Sequence, residues 1–287
     1  MSSIARELHE ENRRSWNAAT RAHNSHKHDQ AAFLRGGGST LFPEELELLG
    51  ELSGRSLLHV CCNSGQDTLS LARLGARTTG VDISDEAVAF AEKLSIDSGI
   101  AGEFERADIY DWLPRAARER RRFDRVLLTY GVLGWMSDLP SLFAGLAGVL
   151  EHGGRVVSLE FHPSLMMFDD DLQLRYPYFR AAGPYTWKEG VSDYVALSGK
   201  ALTPSGWVDG EKDFANPHPV HEFPWAMSEL VSAVLGAGLQ IAELREWPYA
   251  NGFKPFKTMR ELPGNRYAAP QGQPDLPLMF GLVAAKP

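Results

Sequence analysis

The chain has 287 residues, a net charge of −8 from 29 basic against 37 acidic side chains, and two cysteines. This balance excludes a broad nucleic-acid footprint, which needs clustered Lys and Arg; no stretch approaches the roughly 20 apolar residues that span a bilayer, and the opening MSSIARELHEENRR is too charged for a signal peptide. Cys61 and Cys62 are neighbours, so no disulfide framework is expected and a reducing, cytoplasmic setting is.

Residues 1–40 read as an appended lid. Helix-forming composition over Ile4–Arg21, with Leu8 and Trp16 apolar among charges, runs into HNSHKHDQ and then the flexible Gly36, Gly37 and Gly38. A glycine hinge beside a polar, aromatic segment suits a cover that closes over a ligand. The His23, His26, Lys27 and His28 cluster lacks Cys or acid partners at metal-site spacing, so no metal is expected there.

The remaining domain, 41–287, opens with a helix over Leu41–Leu52. Leu57–Gly65, LLHVCCNSG, is an apolar strand running into a small-residue turn; a helix over Asp67–Leu74 follows, then a short strand ending in Asp82 within TTGVDIS. In an open parallel sheet this order sets the turn and the acid side by side at the strands' carboxyl edge, where such folds bind ligands. Gly65 opens the helix, aiming N–H groups and the helix dipole at the ligand, and Asp82 can accept from two ribose hydroxyls. The dinucleotide fingerprint G-x-G-x-x-G is absent. A third strand over Glu103–Ala107 leads into ADIYDW. The basic run Arg118–Asp124 reads as a solvated turn. A fourth strand follows over Phe123–Trp135, with its exit at Thr129, Tyr130 and Gly131. A helix over Leu139–Leu150 stops at Gly153 and Gly154, and Arg155–Phe161 makes the fifth strand.

Residues 161–225 form an insertion dense in aromatics, including Phe168, Tyr176, Tyr178, Tyr185, Trp187 and Trp225. Its prolines and glycines favour an irregular or short-strand cap. Trp135, Tyr178, Trp187, His221 and Trp225 are the candidates for an aromatic acceptor pocket. His218, His221 and Glu222 could bind acceptor or metal, or serve as hydrogen-bonded structure, while Asp169, Asp170 and Asp171 read as an exposed acidic turn rather than a Mg²⁺ site. An amphipathic helix over Trp225–Gly238, strands over Gln240–Trp247 and Leu276–Ala284, and a polar loop from Asn251 complete the chain.

The whole pattern resembles the class I S-adenosylmethionine-dependent methyltransferases of small-molecule type. Their first motif, acid-x-G-x-G-x-G, aligns with His59, Cys61, Asn63 and Gly65 here, so one glycine remains. The resemblance implies an α/β fold with a doubly wound, seven-stranded, mostly parallel sheet, one antiparallel C-terminal strand, an N-terminal lid and an acceptor-site cap. It implies S-adenosyl-L-methionine as methyl donor and S-adenosyl-L-homocysteine as product. The expected donor contacts are His59, Cys61, Cys62, Asn63, Gly65, Asp67 and Thr68 around the turn, and Asp82 and Ile83 at the ribose. Asp108, Ile109 and Tyr110 would meet the adenine, Tyr130 the methionine, and Trp16, His26 and Lys27 would approach from the lid. Glu160 and His162 share a face at the end of the fifth strand and, with Tyr130, are the catalytic candidates. The expected reaction is SN2 displacement at the sulfonium methyl, the acceptor being an aromatic, heteroaromatic (an indole, for example) or amine-bearing metabolite. A monomer or homodimer is expected, with no nucleic-acid or membrane partner. A non-catalytic donor-binding protein and an RNA methyltransferase are the alternatives.

Overall fold

The computed structural model describes residues 4–179 and 183–287; residues 1–3 of the expected lid and 180–182 of the insertion lie outside the described residues. Three helices, α1 (Arg6–Ser25), α2 (Gln30–Arg35) and α3 (Pro43–Leu49), precede an alternating series. This runs β1 (Ser56–Val60), α4 (Gln66–Arg73), β2 (Arg77–Asp82), α5 (Asp85–Ser98), β3 (Glu103–Arg106), α6 (Ile109–Arg118), β4 (Phe123–Thr129), α7 (Leu139–Val149) and β5 (Leu150–Phe161). After it come β6 (Tyr185–Trp187), α8 (Tyr194–Ser198), β7 (Val220–Glu222), α9 (Met227–Gly236), β8 (Gln240–Trp247), β9 (Tyr249–Asn251), β10 (Arg260–Leu262), β11 (Arg266–Ala268) and β12 (Met279–Ala285).

Seven strands form one sheet in the order β3-β2-β1-β4-β5-β12-β8. Neighbours from β3 to β5 pair in parallel, and β12 runs antiparallel to both β5 and β8. The expected doubly wound sheet with an antiparallel C-terminal strand is therefore what the chain forms. β1 and β4 lie at its centre, where helices cover both faces and only apolar runs suit: Leu57, Leu58, Val60, Val126, Leu127 and Leu128 are wholly buried. On one face Trp112, Leu113, Leu142, Phe143 and Leu230 pack from α6, α7 and α9; on the other, Leu48, Leu49 and Leu71 pack from α3 and α4. The chain order reverses between β1 and β4, which opens a crevice at their carboxyl ends.

Three departures from the expected elements have a local cause in the backbone. β4 ends at Thr129, because Tyr130 and Gly131 take left-handed φ of 46° and 89° and a 3-10 turn at Leu133–Trp135 follows. The Gly153–Gly154 pair lies inside β5 instead of ending α7. A Cβ on Gly154 would meet the Glu151 carbonyl at 2.8 Å, so glycine is what lets the strand start at Leu150 beside a register shift against β4. The stretch from Asn251 is a three-stranded sheet, β10-β11-β9, rather than a loop, turned by Gly264 and Asn265 at positive φ.

Within the basic run, Arg118 and Arg120 are exposed around the expected turn, and one arginine is drawn into the fold. Arg121 pairs with Glu103 and Glu105 and lies over the Trp112 ring at 5.1 Å. Among the described residues no helix is long and apolar enough to cross a membrane.

Candidate functional site

A cavity of about 1000 Å³ opens at the carboxyl ends of β1, β2, β4 and β5, bordered by α1 and the β6–β7 strand pair. This is the upper end of the roughly 300–1,000 Å³ range of ligand pockets, enough for two ligands side by side.

Its floor is the turn after β1. Cys61 and Asn63 hold left-handed φ of 53° and 48°; Asn63 makes this bearable by accepting the Ser64 N–H on its own side chain at 2.7 Å. Gly65, at φ 77°, is required for another reason: a Cβ there would sit 2.6 Å from the Ala91 Cβ, so it admits α5 against α4 and does not line the cavity. Asp82 ends β2 with one oxygen accepting from the Asn63 N–H and the other from the Ser84 N–H, each at 2.8 Å. Burial raises its carboxyl above the usual range while those amides and that of Ile83 pull it down, and Asp82 helps to form the cavity wall. His59 takes the place of an acid: it bridges Thr68 (2.8 Å) and Thr129 (3.1 Å), and burial lowers it to about 4, so it is a neutral link between β1, α4 and β4.

At one end of the cavity wall Lys27 and Asp67 are electrostatic neighbours. Burial lowers the lysine to about 8, partly offset by the Asp67 charge; burial raises Asp67, which accepts from the Thr40 hydroxyl. Asp108 caps α6 through the Tyr110 N–H (2.9 Å) and accepts from His9 Nδ1 (2.8 Å) and Arg6 (2.9 Å) of α1. Burial raises its carboxyl, but the His9 hydrogen bond and the His9 and Arg6 charges outweigh that and hold it low. His9 also stacks on Tyr110, with centroids 5.4 Å apart. Ile109, the first residue of α6, keeps an N–H that the helix does not use.

Glu160 lines the cavity and accepts from the backbone N–H groups of Gly131 and Leu133, with Val132 adding to the same cradle; burial raises it to about 8. It thereby anchors the turn that follows β4. His162 leaves the shared face expected of it. β5 ends at Phe161, and His162 turns back to cap the next 3-10 turn at Ser164, with its Nε2 on Glu246 at 2.9 Å and no place on the cavity wall. Tyr130 lines the cavity, its hydroxyl accepting from Asn251 at 2.9 Å.

Of the other expected residues, Trp16, Cys61, Cys62, Asn63, Asp67, Ile83, Asp108, Ile109 and Tyr110 line the cavity, as do Trp135, Trp187 and Trp225. Five more do not. Thr68 holds His59; His26 pairs with Asp193 and stacks on Trp207 at 4.8 Å; Tyr178 accepts from the Met227 N–H; His221 bonds Thr186 and Glu11. Gly65 is the fifth, for the packing reason above. The acidic turn is ion-paired, Asp169 with Arg175 and Asp170 and Asp171 with Lys257, and Asp169 and Asp170 also border the cavity. Among the described residues no group of three or more His, Cys, Asp or Glu side chains is placed to hold a metal ion.

Sequence reasoning did not single out His9 or Asn12, and weighed His23 only as part of a histidine cluster, yet with Trp16 all three line the cavity from α1. The signal was present: positions 9, 12, 16 and 23 fall on one helical face. Glu222 was noticed only as part of a polar group, and it lines the cavity with Tyr176, Tyr185 and Tyr194.

Residues 57–154 match the family model of a methyltransferase domain. The chain is similar to a ubiquinone biosynthesis O-methyltransferase of Xanthomonas euvesicatoria, 31% identical over 40% of this chain and 48% of that one. It is likewise similar to a demethylmenaquinone methyltransferase of Lactococcus lactis, 29% identical over 50% and 56%. The chain thus spans about half the length of the curated relatives it matches. In fold it is similar to solved S-adenosylmethionine-dependent methyltransferases from Mesorhizobium loti (TM-score 0.54, 18% identity, 87% and 99% covered) and Clostridium acetobutylicum (0.52, 14%, 84% and 87%).

Proposed function

We propose, on the premise that the chain belongs by domain and by fold to the class I S-adenosylmethionine-dependent methyltransferases, that it methylates a small planar acceptor held between the sheet edge and the aromatic cap. The observation that carries this reading is one cavity whose wall includes both Asp82, Asp108, Lys27 and Asp67 and the aromatic side chains of Trp135, Trp187, Tyr176 and Tyr185.

The residues fit the donor. Asp82 keeps lone pairs for a ribose diol, and the unused Ile109 N–H suits a ring nitrogen of adenine. Asp108 has given three of roughly four acceptor positions to Tyr110, His9 and Arg6, leaving one for an amino group. Lys27 and Asp67 are complementary to an amino-acid zwitterion, with carboxylate to the ammonium and ammonium to the carboxylate. When bound, S-adenosylmethionine supplies an electrophilic methyl on a sulfonium.

The chain's part is alignment and exclusion of water. α1 acts as the lid: Arg6 and His9 latch onto Asp108, and Arg13 and Asn17 onto Asp85. Glu160 fixes the Gly131–Leu133 turn at the cavity wall, and the aromatic cap orients a flat ring. Aromatic, heteroaromatic and amine-bearing metabolites are the acceptors this wall suits. Incubating the protein with isotopically labelled donor and a panel of such compounds, with product masses read out, tests the reading. Labelled product supports it; donor binding without any transfer favours a non-catalytic binding protein.

A further inference from the structure

The acceptor side of the cavity holds a carboxylate that the fold and the donor leave unexplained. Glu222 ends β7 directly across from Tyr185 of β6. Cross-strand partners share a face, so Glu222, Tyr185 and Trp187 project together while Thr186 and His221 bond each other on the opposite side. Trp187 donates its indole N–H to Glu222 Oε2 at 2.8 Å. Tyr176 stands edge-on to both rings, at 5.5 Å from Tyr185 and 5.9 Å from Trp187. The neighbouring Phe223 N–H donates to the Gly134 carbonyl at 2.7 Å, which ties this strand end to the turn carrying Trp135.

Most other carboxylates of the cavity wall are occupied, and Glu189, also on the wall, is exposed. Glu160 cradles the amides of Gly131 and Leu133, Asp82 those of Asn63 and Ser84, and Asp169 and Asp170 pair with Arg175 and Lys257. Glu222 has one neutral donor on one oxygen. A half-satisfied carboxylate walled by aromatic rings is costly unless another donor completes it, and burial does raise its carboxyl above the usual range. Ring faces around an anion also favour a ligand that is flat and positively polarised at its edge.

From this we infer that Glu222 receives an N–H of the methyl acceptor, so that the acceptor is a flat aromatic compound carrying an N–H or ammonium donor. The inference rests on the methyltransferase reading and deepens it. Oε2 stays on Trp187, Oε1 takes the ligand's N–H, and Tyr176, Tyr185 and Trp135 flank the ring.

Three probes of similar shape separate the cases: indole (neutral N–H), benzofuran (no N–H) and tryptamine (N–H with an ammonium). Each is titrated into the full chain saturated with S-adenosylhomocysteine. Indole or tryptamine is expected to bind at least tenfold more tightly than benzofuran, the better of the two identifying a neutral or a cationic donor. Glu222→Gln keeps an acceptor for Trp187 and is expected to cut that preference to threefold or less without changing benzofuran. Equal binding of all three to the wild type overturns the inference, and this comparison stands even if the variant does not fold. A preference that survives in a folded Glu222→Gln removes Glu222 from the role. Failure of S-adenosylhomocysteine itself to bind is a different outcome, which overturns the methyltransferase reading together with this one.

Discussion

On the proposed reading, Asp82 serves fold and ligand with one side chain. Asp82→Asn keeps the shape but halves the acceptor capacity and removes the charge, so both the amides of the turn and the donor diol lose a partner. The expected cost in binding is about 1.5–3 kcal/mol, a roughly tenfold to hundredfold rise in the Kd for S-adenosylhomocysteine. Titration calorimetry measures it, and unchanged affinity removes the ribose role. Asp82 was readable in the sequence because an acid closing an apolar strand stands out. His162 misled for a physical reason: strand alternation places a side chain only while the strand lasts, and β5 stops one residue earlier. His9 was hidden because its importance comes from Asp108, 99 positions away, and no local pattern carries that distance.

Among the elements, α1 joins parts of the molecule that are remote in sequence. Asn12 exchanges hydrogen bonds with His221 in both directions, its Nδ2 to the carbonyl at 2.8 Å and its Oδ1 from the N–H at 2.7 Å, fastening the helix to β7 of the cap. Both bonds are buried, so Asn12→Ala is expected to cost about 1–3 kcal/mol. Thermal unfolding reads that loss. The acceptor KM is expected to rise several-fold while the donor Kd stays within twofold, and a matched rise in both contradicts a cap-specific role. The large strands were legible because a buried parallel strand is an unbroken apolar run. β9, β10 and β11 are three residues each, too short for any period to register, and only the Pro263-Gly264-Asn265 turn between β10 and β11 hinted at a hairpin.

For the whole molecule, burial sets opposite pH limits. His59 is neutral in the fold, lowered from 6.5 to about 4. Its contribution is therefore complete above pH 6.5 and is lost as pH falls toward 4, about 3 kcal/mol at about 1.4 kcal/mol per unit. Glu160 is raised from 4.5 to about 8, so its contribution is complete below pH 4.5 and is lost as pH rises through 8. Differential scanning calorimetry across pH 4–9 is expected to show a shallower acid limb in His59→Gln and a shallower alkaline limb in Glu160→Gln. Parallel curves for wild type and either variant contradict that assignment. A ligand that binds only the folded state raises the melting temperature by mass action. S-adenosylhomocysteine at a hundredfold excess over its Kd is expected to add about 2.7 kcal/mol, and NAD none.

The two cysteines of the chain occupy adjacent positions in the turn that floors the cavity, and burial pushes both thiols well above their ordinary range. A reagent must reach the floor, and the thiol must meet water, before either reacts. On the reading of α1 as the lid, the rate at which a maleimide adds to this protein, followed by mass alone and without any engineered label, is expected to report its opening, and an occupant of the cavity to slow that rate in proportion to the fraction of the protein it keeps filled.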